Sequence, residues 1–366
     1  MIFGISTSSF QYEESNKKSQ FYNHESKDGV MHKKHWKKDL KLLKELGIQS
    51  YRFSIEWSVI EKKEGIYDES ELERYEMYLD DLKKAKIEPV VCLFHFSQPH
   101  WFSTKKGFVG SPQSFCDFAS MILNRWKEKV MYVMVYNEPN VYAVCSYLIS
   151  RWPPKKKNYF QYSQTLKNME QVYNVLVDTF SKDFRFGFSM AIIPHYYDTL
   201  LNSIFDSIWN ECFQQNVSQN TFFVGINYYF SKDTTWKDIT KCSKLDFFQN
   251  NKTESNLGWP IDAKNIHACL PYIQKYLPNA EIWITENGLS SEDGDAQCKF
   301  LYEHVESILQ YPTIKRFYCW TLIDCWEWDY ARKAKFGLVS VDRKTFRRKK
   351  KKSFACYQSI IQKYKN

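Results

Sequence analysis

Short apolar runs and longer segments of helical period alternate along the whole chain. The first run, residues 2–6, has the composition of a strand. Residues 36–46 repeat apolar positions at three- and four-residue spacing and stop at Gly47, a C-cap signal. The alternation then recurs. Candidate strands cover residues 50–55, 89–94, 130–136, 185–190, 223–227, 281–285 and 316–322, and candidate helices cover 69–85, 112–126, 161–180, 263–277 and 296–309, with a helix-like tail at 353–364. With the first run there are eight strands. Eight βα units without a break in composition predict one α/β domain over residues 1–366, a closed (β/α)8 or TIM barrel. The length of 366 residues lies inside the range of roughly 200 to over 400 that such barrels occupy. A doubly wound open sheet has the same local pattern, and periodicity does not separate the two.

Polar residues gather just after the strands: His95, Asn137 with Glu138, Asn227, Glu286 with Asn287, and Asp324 through Trp328. Any one of them is explained as a helix N-cap or a loop-solvating group. At five strand ends together they mark the end where barrel enzymes place their chemistry. Two of them are glutamates, and retaining hydrolysis of a glycosidic bond needs two carboxyls roughly 5–5.5 Å apart, one protonated to aid the leaving group and one ionised to attack the anomeric carbon. Glu138 and Glu286 end the fourth and seventh strands. With strands ~4.8 Å apart and tilted ~36°, the chord between these ends is about 14 Å, and two glutamates reaching inward leave about 6 Å between carboxyls. Arg52, between the apolar Tyr51 and Phe53, reads as a buried cation that holds Glu286 ionised, while the anion so formed raises the pKa of Glu138.

The sequences Val-Tyr-Asn137-Glu138-Pro139 and Ile-Thr-Glu286-Asn287-Gly288 resemble the acid/base and nucleophile signatures of glycoside hydrolase family 1. The likeness extends to Phe3-Gly4 and Gln11, residues 51–57, Leu93-Phe94-His95, Gly225-Ile226-Asn227-Tyr228-Tyr229 and residues 317–342, nearly the whole chain. It implies a retaining β-glycosidase, β-glucosidase-like, that removes terminal non-reducing β-D-glycosides, β-glucosides foremost, by double displacement through a covalent glycosyl-enzyme. Glu138 is then the acid/base and Glu286 the nucleophile. Gln11, His95, Asn137 and Glu327 are implied to hydrogen-bond the sugar hydroxyls, Trp320 and Trp328 to line that subsite, and Trp259 to stand on the aglycone side. Arg52, Asn227 and Tyr229 support the carboxylates. The resemblance implies no cofactor and no metal. Two departures stand out. His95-Phe96-Ser97-Gln98-Pro99 replaces the family's His-Trp-Asp-Leu-Pro, which removes one indole N–H, and the chain is short between Glu138 and Asn227, so the aglycone side should be more open.

Two rival readings stay open. A 6-phospho-β-glycosidase would carry Ser at the position of Glu327 and a Lys and Tyr where Ala334 and Phe336 stand here. A catalytically silent sugar-binding barrel would usually have lost one of the two glutamates.

Composition adds limits. Aromatics make up 17% of residues, enough for a bulky core and for flat faces in a sugar cleft. The formal charge of +9 is spread over amphipathic segments, so no nucleic-acid partner is expected, and the basic run 347–352 reads as a solvated segment. The ten cysteines match no zinc or redox spacing, which predicts reduced, buried thiols. No basic leader with an apolar stretch begins the chain and no long apolar run interrupts it, which predicts a cytoplasmic protein without a membrane partner. The sequons at Asn216 and Asn251 would then carry no meaning. The expected partner is a small carbohydrate, a β-glycoside or oligosaccharide; the oligomeric state stays open.

Overall fold

In a computed structural model of the protein, residues 1–14, 16–22, 29–235 and 255–365 are described. Among these residues, eight parallel strands close into one barrel in sequence order. They are β1 (Ile2–Thr7), β2 (Ser50–Ser54), β3 (Glu88–Phe94), β4 (Tyr132–Asn137), β5 (Arg185–Ala191), β6 (Phe223–Asn227), β7 (Glu281–Asn287) and β8 (Ile314–Trp320). β1 pairs with β8 from Ile2 opposite Arg316 to Ser6 opposite Trp320, which closes the ring and rules out the open sheet.

Local signals account for the helix ends. Gly47 closes His32–Leu46 at φ +74°, with its N–H on the carbonyl of Lys44. Asp68 and Asn158 cap Glu69–Lys84 and Tyr159–Phe180 through side-chain oxygens that accept from the N–H of Glu71 and Gln161, which satisfies donors the first turn leaves open. The predicted helix at 263–277 is broken into a 3-10 segment, Lys264–Cys269, and a short α-helix, Leu270–Gln274. Pro271 lacks the N–H that a continuous helix would need there and is tolerated only in a first turn.

The core has two layers. Most apolar side chains fill the shell between strands and helices. Inside the barrel, Val90, Cys92, Met134, Phe223, Trp283 and Tyr318 make a separate plug, with the Phe223 and Trp283 rings stacked at 3.8 Å. Arg316 closes the bottom, its guanidinium 4.1 Å from the centre of Trp283 and paired with Glu88. The barrel floor is therefore solid, and ligands have access only from the C-terminal strand ends.

Two expectations are corrected here. Cys298 and Cys356 form a disulfide, with Cα atoms 5.7 Å apart; it joins Gly294–Leu309 to the last helix, Lys352–Tyr364, which pack side by side. A separation of 58 residues gave no spacing signal. The other described cysteines are free and mostly buried, as expected. The basic run is not simply solvated. Arg348–Lys350 forms a strand antiparallel to Val339–Val341; Arg348 binds buried Asp39 through Nε at 2.8 Å, and Lys351 binds Asp324 at 2.9 Å. Asn216 ends the 3-10 turn Gln214–Asn216, and Asn251 lies outside the described residues.

Candidate active site

β4 ends in Asn137, and Glu138 turns the chain with a left-handed backbone, φ +46°, into the helix Pro139–Ala143. A non-glycine residue there costs about 1–3 kcal/mol. The surroundings hold it in place: the N–H of Glu138 donates to the carbonyl of Ser189 on β5 at 2.9 Å, and its own carbonyl accepts from Tyr142 at 3.1 Å. Pro139 suits the first helical position. Glu286 lies one residue from the end of β7. After it, Gly288 passes so close to β8 that a Cβ would sit 2.0 Å from the carbonyl oxygen of Trp320, so only glycine lets the strand end there.

The two glutamates belong to one buried network. Arg52, at 0% exposure, donates from Nη1 to Oε1 of Glu286 at 2.6 Å and from Nη2 to Oδ1 of Asn137. Tyr229 donates its hydroxyl to Oε2 of Glu286 at 2.8 Å. Asn227 donates from Nδ2 to Oε1 of Glu138 at 2.7 Å and to Oδ1 of Asn137 at 3.1 Å. Asn137 in turn donates to Nε2 of His95 at 3.1 Å. Burial and the Arg52 charge hold His95 well below its usual pKa, so the ring is neutral. With Nε2 accepting, Nδ1 carries the proton and has no partner among the described residues, which leaves it for a ligand.

Burial, then the charge of Glu286, pushes Glu138 up to about 8, against the pull of Asn227 and Arg52. Glu286 is raised as well: burial outweighs the opposing Arg52 charge and the hydrogen bonds from Arg52, Tyr229 and Asn227. Arg52 pairs with Glu286 as expected, but burial outweighs it, so the group lies above its ordinary value. The asymmetry stands nonetheless, because Glu286 has the cation and Glu138 does not, so Glu286 ionises first. A raised carboxyl pKa means that folding retains a proton which the unfolded chain releases, so stability is greatest below the ordinary carboxyl range and is lost as pH rises toward about 8. Glu138→Gln, which removes that titration, is therefore expected to raise the melting temperature by about 2 °C or more near pH 9 and by less near pH 5, followed by calorimetry. An equal shift at both pH values would mean that the gain does not come from the carboxyl.

The cavity above these groups opens to solvent and is lined by His95, Asn137, Glu138, Trp259, Glu286, Trp320, Glu327 and Trp328 among others. Trp320 donates from Nε1 to Oε1 of Glu327 at 2.9 Å; Trp259 donates to the hydroxyl of Tyr330 at 3.0 Å; Trp328 stacks on Phe10 at 5.4 Å. Burial and the Glu286 charge push Glu327 up to about 8, while the Trp320 N–H pulls it down. Gln11 is fully buried but absent from the lining; its amide donates to the carbonyl of Trp326 at 2.6 Å and its oxygen accepts from Ser8 at 2.5 Å. It is thereby tied to the loop of Glu327, whose carboxyl a hydrogen bond from Gln11 pulls down. Among the described residues no group of three or more His, Cys, Asp or Glu is placed to hold a metal ion.

Several lining residues were not legible from the sequence. Trp152 packs its ring 4.7 Å from Phe96 and 5.7 Å from Trp328, filling the space beside a phenylalanine that stands where the resemblance implies a tryptophan. Its Nε1 donates to Asp329 at 3.3 Å, and Arg151 Nε pairs with the same carboxylate at 3.0 Å. The loops after β4 and β8, opposite in the ring, are thereby tied across the top. Neither Arg151 nor Trp152 belongs to a periodic segment, so no pattern singled them out.

The family model for glycosyl hydrolase family 1 matches residues 4–182 and 202–366. A 1,4-β-D-glucan glucohydrolase of Thermotoga neapolitana is 23% identical over 90% of this chain and 86% of its own length. A 6-phospho-β-glucosidase of Bacillus subtilis is 23% identical over 94% of this chain and 87% of its own. The structure of a β-glycosidase from Pyrococcus horikoshii superposes with a TM-score of 0.86 at 26% identity, covering 98% of this chain and 93% of the other.

Proposed function

Since the chain belongs to glycosyl hydrolase family 1 and is a glycosidase, we propose that it cleaves terminal β-glycosides, β-glucosides foremost, with retention, Glu286 attacking and Glu138 donating and later recovering the proton. The observation that carries this reading is the unequal environment of the two carboxyls: one is clamped by Arg52 and Tyr229, the other is raised to about 8 with only an amide donor. A carboxyl still protonated at neutral pH beside one prepared to ionise is what double displacement requires. Residues 1–366 are read as one catalytic domain. His95, Asn137 and Glu327 are assigned to the sugar hydroxyls, Trp320 and Trp328 to the walls around them, Trp259 to the aglycone side, and Gln11 to support of Glu327.

A plain sugar is favoured over a 6-phosphorylated one, as the names of the relatives leave both in view. Ala334 and Phe336 are buried and uncharged, Lys333 is exposed, and neither Lys333 nor Lys335 reaches the cavity. Among the described lining residues the permanent cation is Arg151, already paired with Asp329. Glu327, raised by burial, is no fixed repulsive charge in the empty pocket; hydroxyls that donate to it draw out the ionised form. Glu327→Ser should lower kcat/KM on a plain nitrophenyl β-glycoside by about 10²-fold and shift the ratio of 6-phosphorylated to plain substrate toward phosphate. A screen of nitrophenyl β-glycosides with and without the 6-phosphate, on wild type and variant, checks both. An unmoved ratio would detach Glu327 from the sugar's O6, and wild-type activity on the phosphorylated substrates alone would overturn the choice of a plain sugar.

A further inference from the structure

The cavity is polar at one end and apolar at the other. The polar end is made by His95, Glu327 and the two catalytic candidates. The wall contributed after β4, β5 and β6 presents Val141, Ile149, Ile192, Ile193, Trp209 and Phe230 toward the mouth, while Arg151 in the same wall is turned to Asp329. A leaving group in that half meets hydrocarbon.

The apolar wall continues onto the outer surface. Trp209, which lines the cavity, directly follows the helix Leu200–Ile208. On that helix Leu200 is 77% exposed and Ile204 43%, while Leu201, Phe205 and Ile208 are half-buried, Phe205 and Ile208 against the core. Its last turn touches the first turn of Tyr159–Phe180, where the hydroxyl of Tyr162 donates to the carbonyl of Ile208 at 2.7 Å. On that first turn Phe160 is 73% exposed and Tyr159 67%, and Tyr197, just before the shorter helix, is 73% exposed. Leu200 and Ile204 thus form an exposed apolar strip beside the face by which the helix packs on the core, and grouped exposed apolar side chains mark an interaction surface. The exposed Lys155, Lys156 and Lys157 stand just before Tyr159 and Phe160; the acids of the same region are Asp198, Asp206 on the helix, and Asp233, which accepts from the N–H of Tyr197 at 3.1 Å. Tyr197 and Leu200 lie in the segment between the two stretches matched by the family model, 183–201, whereas Lys155, Phe160 and Ile204 lie within them.

We propose that this rim docks onto a lipid surface bearing anionic headgroups, and that the enzyme takes amphiphilic β-glycosides from it, the sugar entering the polar end and the aliphatic aglycone lying along the apolar wall. The proposal rests on the glycosidase site described above and deepens it. Rings and aliphatic side chains beside a lysine cluster are the composition that inserts at a headgroup boundary while the cations hold the negative surface. No helix among the described residues is long and apolar enough to cross a membrane, and surface docking requires none; the proposal departs from the expectation of no membrane partner, which rested on the lack of apolar runs.

The test is sedimentation of the full chain with phosphatidylcholine vesicles, with and without about 30 mol% phosphatidylserine. Wild type should partition to the mixed vesicles, less so at high salt. Phe160→Asp and Leu200→Asp should each weaken partitioning by about tenfold, and reversing Lys155, Lys156 and Lys157 to Glu should weaken it by about 100-fold or more on anionic vesicles. Hydrolysis of a water-soluble nitrophenyl β-glycoside should be unchanged in all of them, which also shows that the variants fold. Hydrolysis of a long-chain alkyl β-glycoside embedded in the mixed vesicles should fall in step with partitioning. The proposal is overturned if wild type stays in the supernatant, if the variants sediment like wild type, or if the patch instead holds a second copy, seen as a concentration-dependent dimer that Leu200→Asp dissociates without vesicles. Loss of wild-type activity on every nitrophenyl β-glycoside would sink the catalytic reading while sedimentation still decides the docking.

Discussion

Glu286→Gln is expected to reduce turnover by about 10⁴- to 10⁶-fold, the scale seen when a covalent nucleophile is removed from an otherwise intact site. An amide cannot form the glycosyl ester, and its NH2 group would face Arg52 or Tyr229, both of which donate to the present carboxylate at 2.6 and 2.8 Å. Glu286→Gly tests the assignment more sharply. It leaves a small void beside a buried guanidinium, and azide or formate binding there should restore part of the activity. The direction of attack fixes the product: an external anion approaching from the face vacated by the carboxylate gives the α-configured adduct from a β-glycoside. The configuration is read by proton NMR of the azide product. A β-configured adduct, or near-normal activity in the Gln variant, would remove Glu286 from the nucleophile's role.

Glu138→Ala should separate the two chemical steps. Glycosylation of the enzyme by an activated aryl glycoside needs little proton donation and should lose about tenfold or less, whereas substrates with poor leaving groups should lose about 10²- to 10⁴-fold, the usual contribution of a positioned acid. Deglycosylation loses its base in either case, so a burst of phenol followed by a slow steady state is the expected trace. The pH profile gives an independent reading. Glu138 must be protonated to act as acid and is raised to about 8, so activity should fall as pH rises through that region. Glu286 must be ionised, so activity should also fall on the acid side, at a pH above the ordinary glutamate value because burial raises this group too. Glu138→Gln should erase the basic limb and keep the acidic one. If the basic limb survives, another group supplies the proton; Glu327, also raised to about 8, is then the candidate, since His95 is neutral.

The strand ends were legible because a parallel barrel strand is buried throughout and then stops, so a polar pair such as Asn137 with Glu138 stands out against its apolar run. The bond between Arg52 and Glu286 was legible for a related reason: a cation flanked by Tyr51 and Phe53 must be paired if it is buried. The disulfide was not, because cysteines 58 residues apart meet only when two outer helices pack. The basic run misled for the same reason. Arg348 and Lys351 read as solvated until Asp39 and Asp324 are brought to them from distant parts of the chain.

By itself, then, the sequence determined the order of strands and helices and the strand ends at which polar residues gather, Glu138 and Glu286 among them, since each follows from periodicity and residue type over a few neighbouring positions. Tertiary structure decided what depends on long-range proximity and on exclusion of water. Gln11 is fixed by its amide meeting the carbonyl of Trp326, a residue 315 positions away in the chain. Burial lifts all three carboxyls, overriding part of what Arg52 would do alone. Trp152 reaches Phe96 and Trp328 from a loop without pattern, and the hydroxyl of Tyr162 meets the carbonyl of Ile208 only because two helices distant in the chain are brought together.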